Sequence, residues 1–150
     1  IASHFDKRVF HGGLTYTAHP VSLAAMLANI RVFQEEKLVE RSASLGSSLS
    51  RMLSNLKEKH PSVGDVRSIG LFGVVEIVKN RETKEPMAPY NGSSPEMDAF
   101  KKYCFEHGLY LSVHWQKAFV IPPLVITEEQ LAEGITIIDE ALKITDDAVV

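Results

Sequence analysis

Between His11 and Pro20 the chain reads His-Gly-Gly-Leu-Thr-Tyr-Thr-Ala-His-Pro, a cluster of hydroxyls, glycines and imidazoles just ahead of a proline suited to a helix's first turn. Backbone N–H groups left open by such a turn, with a threonine hydroxyl beside them, make a natural anion site, and a helix N-terminus adds the positive end of its dipole. The same residue types also build an ordinary cap and turn, so chemistry alone leaves both readings open. Elsewhere the familiar signatures are missing: there is no G-x-S-x-G, no G-x-x-x-x-G-K-[ST] and no H-E-x-x-H. The histidines at 4, 11, 19, 60, 107 and 114 fall in no metal-ligand spacing, so no metal is expected. His60 and His107 stand near the ends of expected helices, where capping or surface roles are the natural reading. Cys104 falls on an apolar helical stripe and is expected as a core thiol rather than a nucleophile. Trp115, followed by Gln116 and Lys117 between two short strands, is either a turn residue or the wall of a pocket.

These groups sit in a chain of 150 residues, 45% hydrophobic and 23% charged. That is the composition of a globular domain with a core, not of a disordered or collagenous chain. Sixteen Lys and Arg against nineteen Asp and Glu leave a formal charge of -3, with no basic excess to neutralise a phosphate backbone. Nucleic acid is therefore not an expected partner. No apolar run approaches the length of a membrane span, and Ile1 to Arg8 lacks the apolar core of a signal peptide. A single cysteine excludes an internal disulfide and fits a reducing compartment, so a cytoplasmic location is expected. The chain does not begin with Met, and the expectation is an internal piece of a longer polypeptide.

The elements that must position these residues follow from periodicity. After Pro20, Leu23, Met26, Leu27, Ile30 and Phe33 form a helical stripe, and Ala24, Ala25 and Ala28 suggest burial on most sides. Glu35-Glu36-Lys37 reads as a solvated helix face. Leu45, Leu49, Met52, Leu53 and Leu56 mark a second helix, ended by His60-Pro61 and weakened by Gly46. Residues 70–78 are β-branched and apolar and read as a strand, followed by a long mobile loop from Lys79 to Pro95. Ser94-Pro95 caps a helix carrying Met97, Phe100 and Cys104, which Gly108 stops. Strands are expected at 109–113 and 118–121. The capping box Thr127-Glu128-Glu129-Gln130 then opens a helix with Leu131, Ile135, Ile138 and Leu142 on one face. This order predicts an α+β fold, with helices covering one face of a small sheet.

Four of these segments, in this order, resemble class III pyridoxal-phosphate-dependent aminotransferases. His11 to Pro20 looks like the family's H-G-x-T-Y-x-x-H-P segment, and Val66-Arg67-Ser68-Ile69-Gly70-Leu71-Phe72-Gly73-Val74 is similar to its V-R-x-x-G-L-x-x-G strand entry. Gly108-Leu109-Tyr110 and Pro122-Pro123-Leu124-Val125-Ile126-Thr127-Glu128-Glu129 look like its two closing signatures. Between them, the Ala-rich helix after Pro20 and the start at Leu38-Val39-Glu40-Arg41 also resemble family helices.

The resemblance implies the C-terminal small domain of a fold type I enzyme: a small antiparallel sheet covered by helices, preceded by the end of the large domain and a long connecting helix. On that reading residues 1–35 close the large cofactor-binding domain and residues 36–150 form the small domain. It implies pyridoxal 5'-phosphate as cofactor, with Thr15 donating to its phosphate and Leu14 contributing main chain across a homodimer interface. It implies amine or ω-amino acid donors, a 2-oxo acid acceptor, and a Schiff-base lysine upstream of residue 1. No lysine here stands in a matching context, so the isolated chain is expected to be inactive. Many members hold the substrate carboxylate with an arginine at one of two positions occupied here by Ser112 and Phe119. Neither can replace a bidentate guanidinium, which makes Trp115 and Lys117 the candidates for the substrate's acidic group. The G-L-Y-x-x-x-x-W spacing, Gly108 to Trp115, looks most like branches acting on taurine or β-alanine. Arg67 is placed either against a substrate or interdomain carboxylate or, preferably, against Asp65 as a structural pair. The alternatives are an aminomutase or decarboxylase of the same family, or a non-catalytic α+β binding or structural module derived from it.

Overall fold

The structure, a computed structural model, describes residues 2–150, which separate into two compact units with the boundary between Lys37 and Leu38. In the first unit a short 3-10 turn, Ala2–Asp6, leads through an irregular stretch to helix α1, Pro20–Glu35. Pro20 occupies the first turn as its missing N–H predicts, and Lys37, at φ 50, follows the helix in the left-handed region. The expectation that α1 is buried on most sides does not hold: none of the described residues of this unit is buried, and Met26 and Leu27 are half exposed. A lone helix has no second layer in its own unit to cover an apolar stripe.

The second unit runs α2 (Leu38–Lys59), β1 (Val63–Ile69), β2 (Phe72–Asn80), β3 (Glu85–Pro86), α3 (Pro95–Glu106), β4 (Ser112–His114), β5 (Lys117–Val120) and α4 (Glu128–Asp146). Its sheet is antiparallel in the order β1-β2-β5-β4, with β3 added to the end of β2. On β2, Gly73, Val75 and Ile77 point inward and are buried, while Phe72, Val74 and Glu76 face outward. The inward row joins Leu49 and Leu53 of α2, Met97, Phe100 and Cys104 of α3, and Leu131, Ile138 and Leu142 of α4 in one core. Cys104 is a buried core thiol as expected, and burial pushes its pKa up to about 11.

Local chemistry sets the element ends. Ser94 Oγ accepts from the Met97 N–H, and Thr127 and Gln130 close the full capping box on α4. Gly46 is less a weak point than a packing device. A Cβ there would lie 2.5 Å from the Cα of Gly70, so α2 and the β1–β2 turn touch backbone to backbone. Gly70 itself turns at φ 53, and the Leu71 N–H donates to Ser42 Oγ on α2 at 3.2 Å.

Four expectations are corrected here. The strand read at 70–78 starts at Phe72, because Gly70-Leu71 is the turn of a hairpin whose first strand, β1, the pattern did not reveal. The segment 79–95 is pinned rather than loose: Asn80 Oδ1 accepts from the N–H groups of Glu82 and Thr83, β3 pairs with β2, and Met87 and Ala88 are buried. The later strands are shifted to 112–114 and 117–120. His60 is no surface cap either, being buried between two carboxylates of α4. His107 does cap its helix, with Nδ1 2.8 Å from the Tyr103 carbonyl oxygen.

Candidate functional site

In the first unit the segment ahead of α1 folds into turns closed by the Thr17 N–H on the Leu14 carbonyl at 2.9 Å and the His19 N–H on the Tyr16 carbonyl at 3.3 Å. The Thr17 hydroxyl also donates to the Leu14 carbonyl, at 2.6 Å. Of the two threonines, then, Thr17 is committed to the turn. The Thr15 hydroxyl has no partner among the described residues, and neither do the N–H groups of Leu14 and Thr15. Leu14 is exposed, and a Cβ on Gly13 would meet nothing within 4 Å. The segment thus presents a free hydroxyl and adjacent backbone donors to open space, a donor set that suits a phosphate dianion.

In the second unit the helix-free face of the sheet gathers the other candidates. Register places Arg67 beside Val74, Val74 beside Phe119, and Phe119 beside Ser112. The neighbouring row holds Asp65, Glu76, Lys117 and His114. Arg67 donates through Nη2 to Glu76 Oε2 at 3.0 Å and lies 3.5 Å from Asp65 Oδ2 through Nε. The Asp65 pairing is present, but the shorter contact goes to Glu76. A hydrogen bond from Lys57 Nζ at 3.0 Å, opposed by some burial, holds the Asp65 carboxyl below its ordinary value.

Lys117 forms no ion pair among the described residues; its Nζ stands 5.7 Å from the centroid of the Trp115 ring, within cation–π range. Trp115 takes both roles left open by the sequence. It is the first residue of the two-residue β4–β5 turn, at φ 55, and its ring packs on Tyr90 with centroids 4.3 Å apart. It also walls a shallow concavity of about 410 Å³ together with Phe72, His114, Lys117, Phe119 and Ile121. Phe119 meets Phe72 and His114 edge to face, at 6.3 and 5.6 Å. A left-handed tryptophan is strained, so the fold presents this ring at a local cost. A second groove, of about 290 Å³, runs between β4–β5 and α4 but has no charged side chain in its walls.

Sequence reasoning missed Glu76, His114 and Tyr90. A signal existed for the first, since a carboxylate inside Val74-Val75-Glu76-Ile77 marks the outward face of a strand. None existed for Tyr90, which reaches Trp115 from the segment between β3 and α3.

The sequence profile of the aminotransferase class-III family matches residues 3–142. The chain belongs to the class-III aminotransferases. It is 34% identical over 141 residues to the putrescine–pyruvate aminotransferase of Pseudomonas aeruginosa, covering 93% of this chain and 30% of that protein. It is 37% identical over 131 residues to the isoleucine 2-epimerase of Lentilactobacillus buchneri, covering 85% of this chain and 27% of that one. Among solved structures it is similar to the taurine:2-oxoglutarate aminotransferase of Bifidobacterium kashiwanohense, in complex with PLP and glutamate. The TM-score is 0.91 at 32% identity, covering 99% of this chain and 33% of that chain. This class-III chain therefore spans about a third of the length of such relatives. Its α+β architecture is that of the fold type I enzymes, as the motifs implied, and pyridoxal phosphate is the cofactor of the family.

Proposed function

We propose that this chain works as part of a pyridoxal-phosphate-dependent aminotransferase, with residues 1–35 closing the cofactor-binding domain and residues 36–150 forming the small domain over the substrate. The observation that carries the reading is the donor set at Leu14 and Thr15: one threonine hydroxyl is spent on the turn while its neighbour is left free beside unengaged N–H groups. When bound, pyridoxal phosphate supplies the electron sink through which an amino group passes from an amine to a 2-oxo acid. Thr15 and the Leu14 main chain donate to its phosphate, across a homodimer interface as in the family. The Schiff-base lysine is supplied from outside these residues, so the chain alone is inactive.

On the outward face of the sheet, Lys117 is the cation left free for an acidic group of the substrate, and Trp115 and Phe119 wall its apolar part. Arg67 serves a second anionic end only by giving up Glu76 and Asp65. This favours small ω-amino acids bearing one acidic group, handled in the cytoplasm. The test is amino transfer by the full-length enzyme from taurine, β-alanine or putrescine to pyruvate or 2-oxoglutarate. Lys117→Met is expected to raise KM for taurine and β-alanine and leave putrescine unchanged. Failure to form an amino acid from either oxo acid overturns the reading.

Similarity to a relative named for a reaction other than amino transfer, an isoleucine 2-epimerase, supports a second reading, in which the same phosphate contacts serve a different reaction of the amino substrate, such as amino-group migration or decarboxylation. Such an enzyme turns over its amino substrate with no oxo acid consumed. A non-catalytic module predicts turnover of neither.

A further inference from the structure

At the corner where α2 ends and β1 begins, His60 is 1% exposed, and both its ring nitrogens face carboxylates of α4. Nδ1 lies 2.6 Å from Asp146 Oδ2, and Nε2 lies 3.0 Å from Asp139 Oδ1. Two contacts of hydrogen-bond length require two hydrogens, and a neutral imidazole carries one. Asp139 does not supply the second. Burial works against its charge, but hydrogen bonds from Lys59 and His60 outweigh that and hold its carboxyl below the ordinary value. Asp146 spends its other oxygen, Oδ1, on the Ser62 N–H at 3.0 Å and the Ser62 hydroxyl at 2.6 Å. The Ser62 Oγ is also 2.8 Å from Thr145 Oγ1, whose hydroxyl donates to the Leu142 carbonyl.

We propose that His60 is a proton-operated clasp: with hydrogens on both ring nitrogens it ties the last turns of α4 to the α2–β1 corner, and loss of either hydrogen releases that end of the helix. A bare ring nitrogen here points its lone pair at a carboxylate oxygen from a ring that is itself buried, and both groups lose a partner at once. The ring itself meets Asp139 and Asp146 of α4; the nearby cations are Lys59 of α2, which pairs with Asp139, and Arg81 just after β2, which donates to the carbonyls of Lys57 and His60. Of these side-chain types, only imidazole ordinarily changes charge near neutral pH. The released part is defined. Beyond Asp146 the chain returns to the end of β2, where the Val150 N–H donates to the Lys79 carbonyl at 3.0 Å and Asn80 Nδ2 donates to the Val150 carbonyl at 3.1 Å.

The clasp stands apart from the aminotransferase reading, and its test needs no cofactor. In the 150-residue chain, 15N NMR of the His60 ring is expected to show two protonated nitrogens while the clasp is closed. Amide exchange in the last turn of α4, corrected for its intrinsic pH dependence, is expected to speed up over the same pH interval in which the ring signals report loss of a hydrogen. The two readouts are expected to move together, because the clasp is held by the ring hydrogens themselves. His60→Gln removes the speed-up, whereas Ser62→Ala weakens protection at every pH and keeps it. Should His60→Gln fail to fold, Asp139→Asn shifts the interval to lower pH. A single N–H on the ring throughout, or a speed-up that persists in His60→Gln, overturns the proposal.

Discussion

Replacing Gly46 by alanine sets two physical rules against each other. Helix propensity alone favours alanine in the interior of α2 by ~1 kcal/mol. The packing says the opposite. A methyl group at Gly46 lies 2.5 Å from Gly70 Cα and 2.7 Å from both its carbonyl carbon and oxygen, and all three are backbone atoms of a tight turn. They cannot swing aside as a side-chain end does. Overpacking of this kind costs ~1–3 kcal/mol, and a backbone clash belongs at the top of that range. The net loss is then ~2 kcal/mol after the propensity gain is subtracted. At a urea m-value of ~2 kcal/mol/M the unfolding midpoint falls by ~1 M. Gly134→Ala is the matched control: its Cβ would meet only Leu109 Cδ1, at 3.6 Å, so propensity prevails and the midpoint rises by ~0.5 M. Urea unfolding of both variants, followed by circular dichroism, decides between the rules. A midpoint that rises in Gly46→Ala as well refutes the close approach of α2 to the β1–β2 turn.

In the full-length enzyme, Thr15→Ala is expected to weaken cofactor retention roughly tenfold, the worth of one charge-assisted hydrogen bond. Thr17→Ala, whose hydroxyl serves the turn, should cost less; equal losses measured by equilibrium dialysis count against the assignment. Trp115→Gly exchanges relief of a left-handed backbone, ~1 kcal/mol, for loss of the Tyr90 contact, ~1 kcal/mol, so thermal unfolding should barely move while KM for anionic donors rises. Cys104, with its pKa raised by burial to about 11, should react with iodoacetamide at neutral pH only after denaturant is added. The depressed carboxyl of Asp139 contributes stability that is present above the unfolded aspartate value and lost as pH falls through the folded one. Asp139→Asn should accordingly flatten the acid limb of a stability-against-pH curve.

Much of the second unit was legible in local chemistry. Ser94, Thr127 and the Leu45–Leu56 stripe each act within a few residues of themselves, and each stands where the pattern put it. The first strand of the hairpin was not legible, because Asp65, Arg67 and Ser68 on an edge strand break the apolar run that marks a buried one. His60 read as a helix cap because its partners, Asp139 and Asp146, are 79 and 86 residues away and only tertiary packing brings them in. The candidate site shows the same division. Thr15 declares itself within one turn, whereas Arg67 and Lys117 share a face only through the pairing of β2 with both β1 and β5.

The alternation along β2, β4 and β5 has an evolutionary consequence. Gly73, Val75, Ala118 and Val113 face the helices, while Val74, Glu76, Phe119 and Ser112 stand on the opposite side of the same backbone. Side chains of the second set can be exchanged one at a time, with little repacking of the first. Selection, natural or in a directed library, can then rewrite the chemistry of that surface on a scaffold whose folding it leaves nearly untouched.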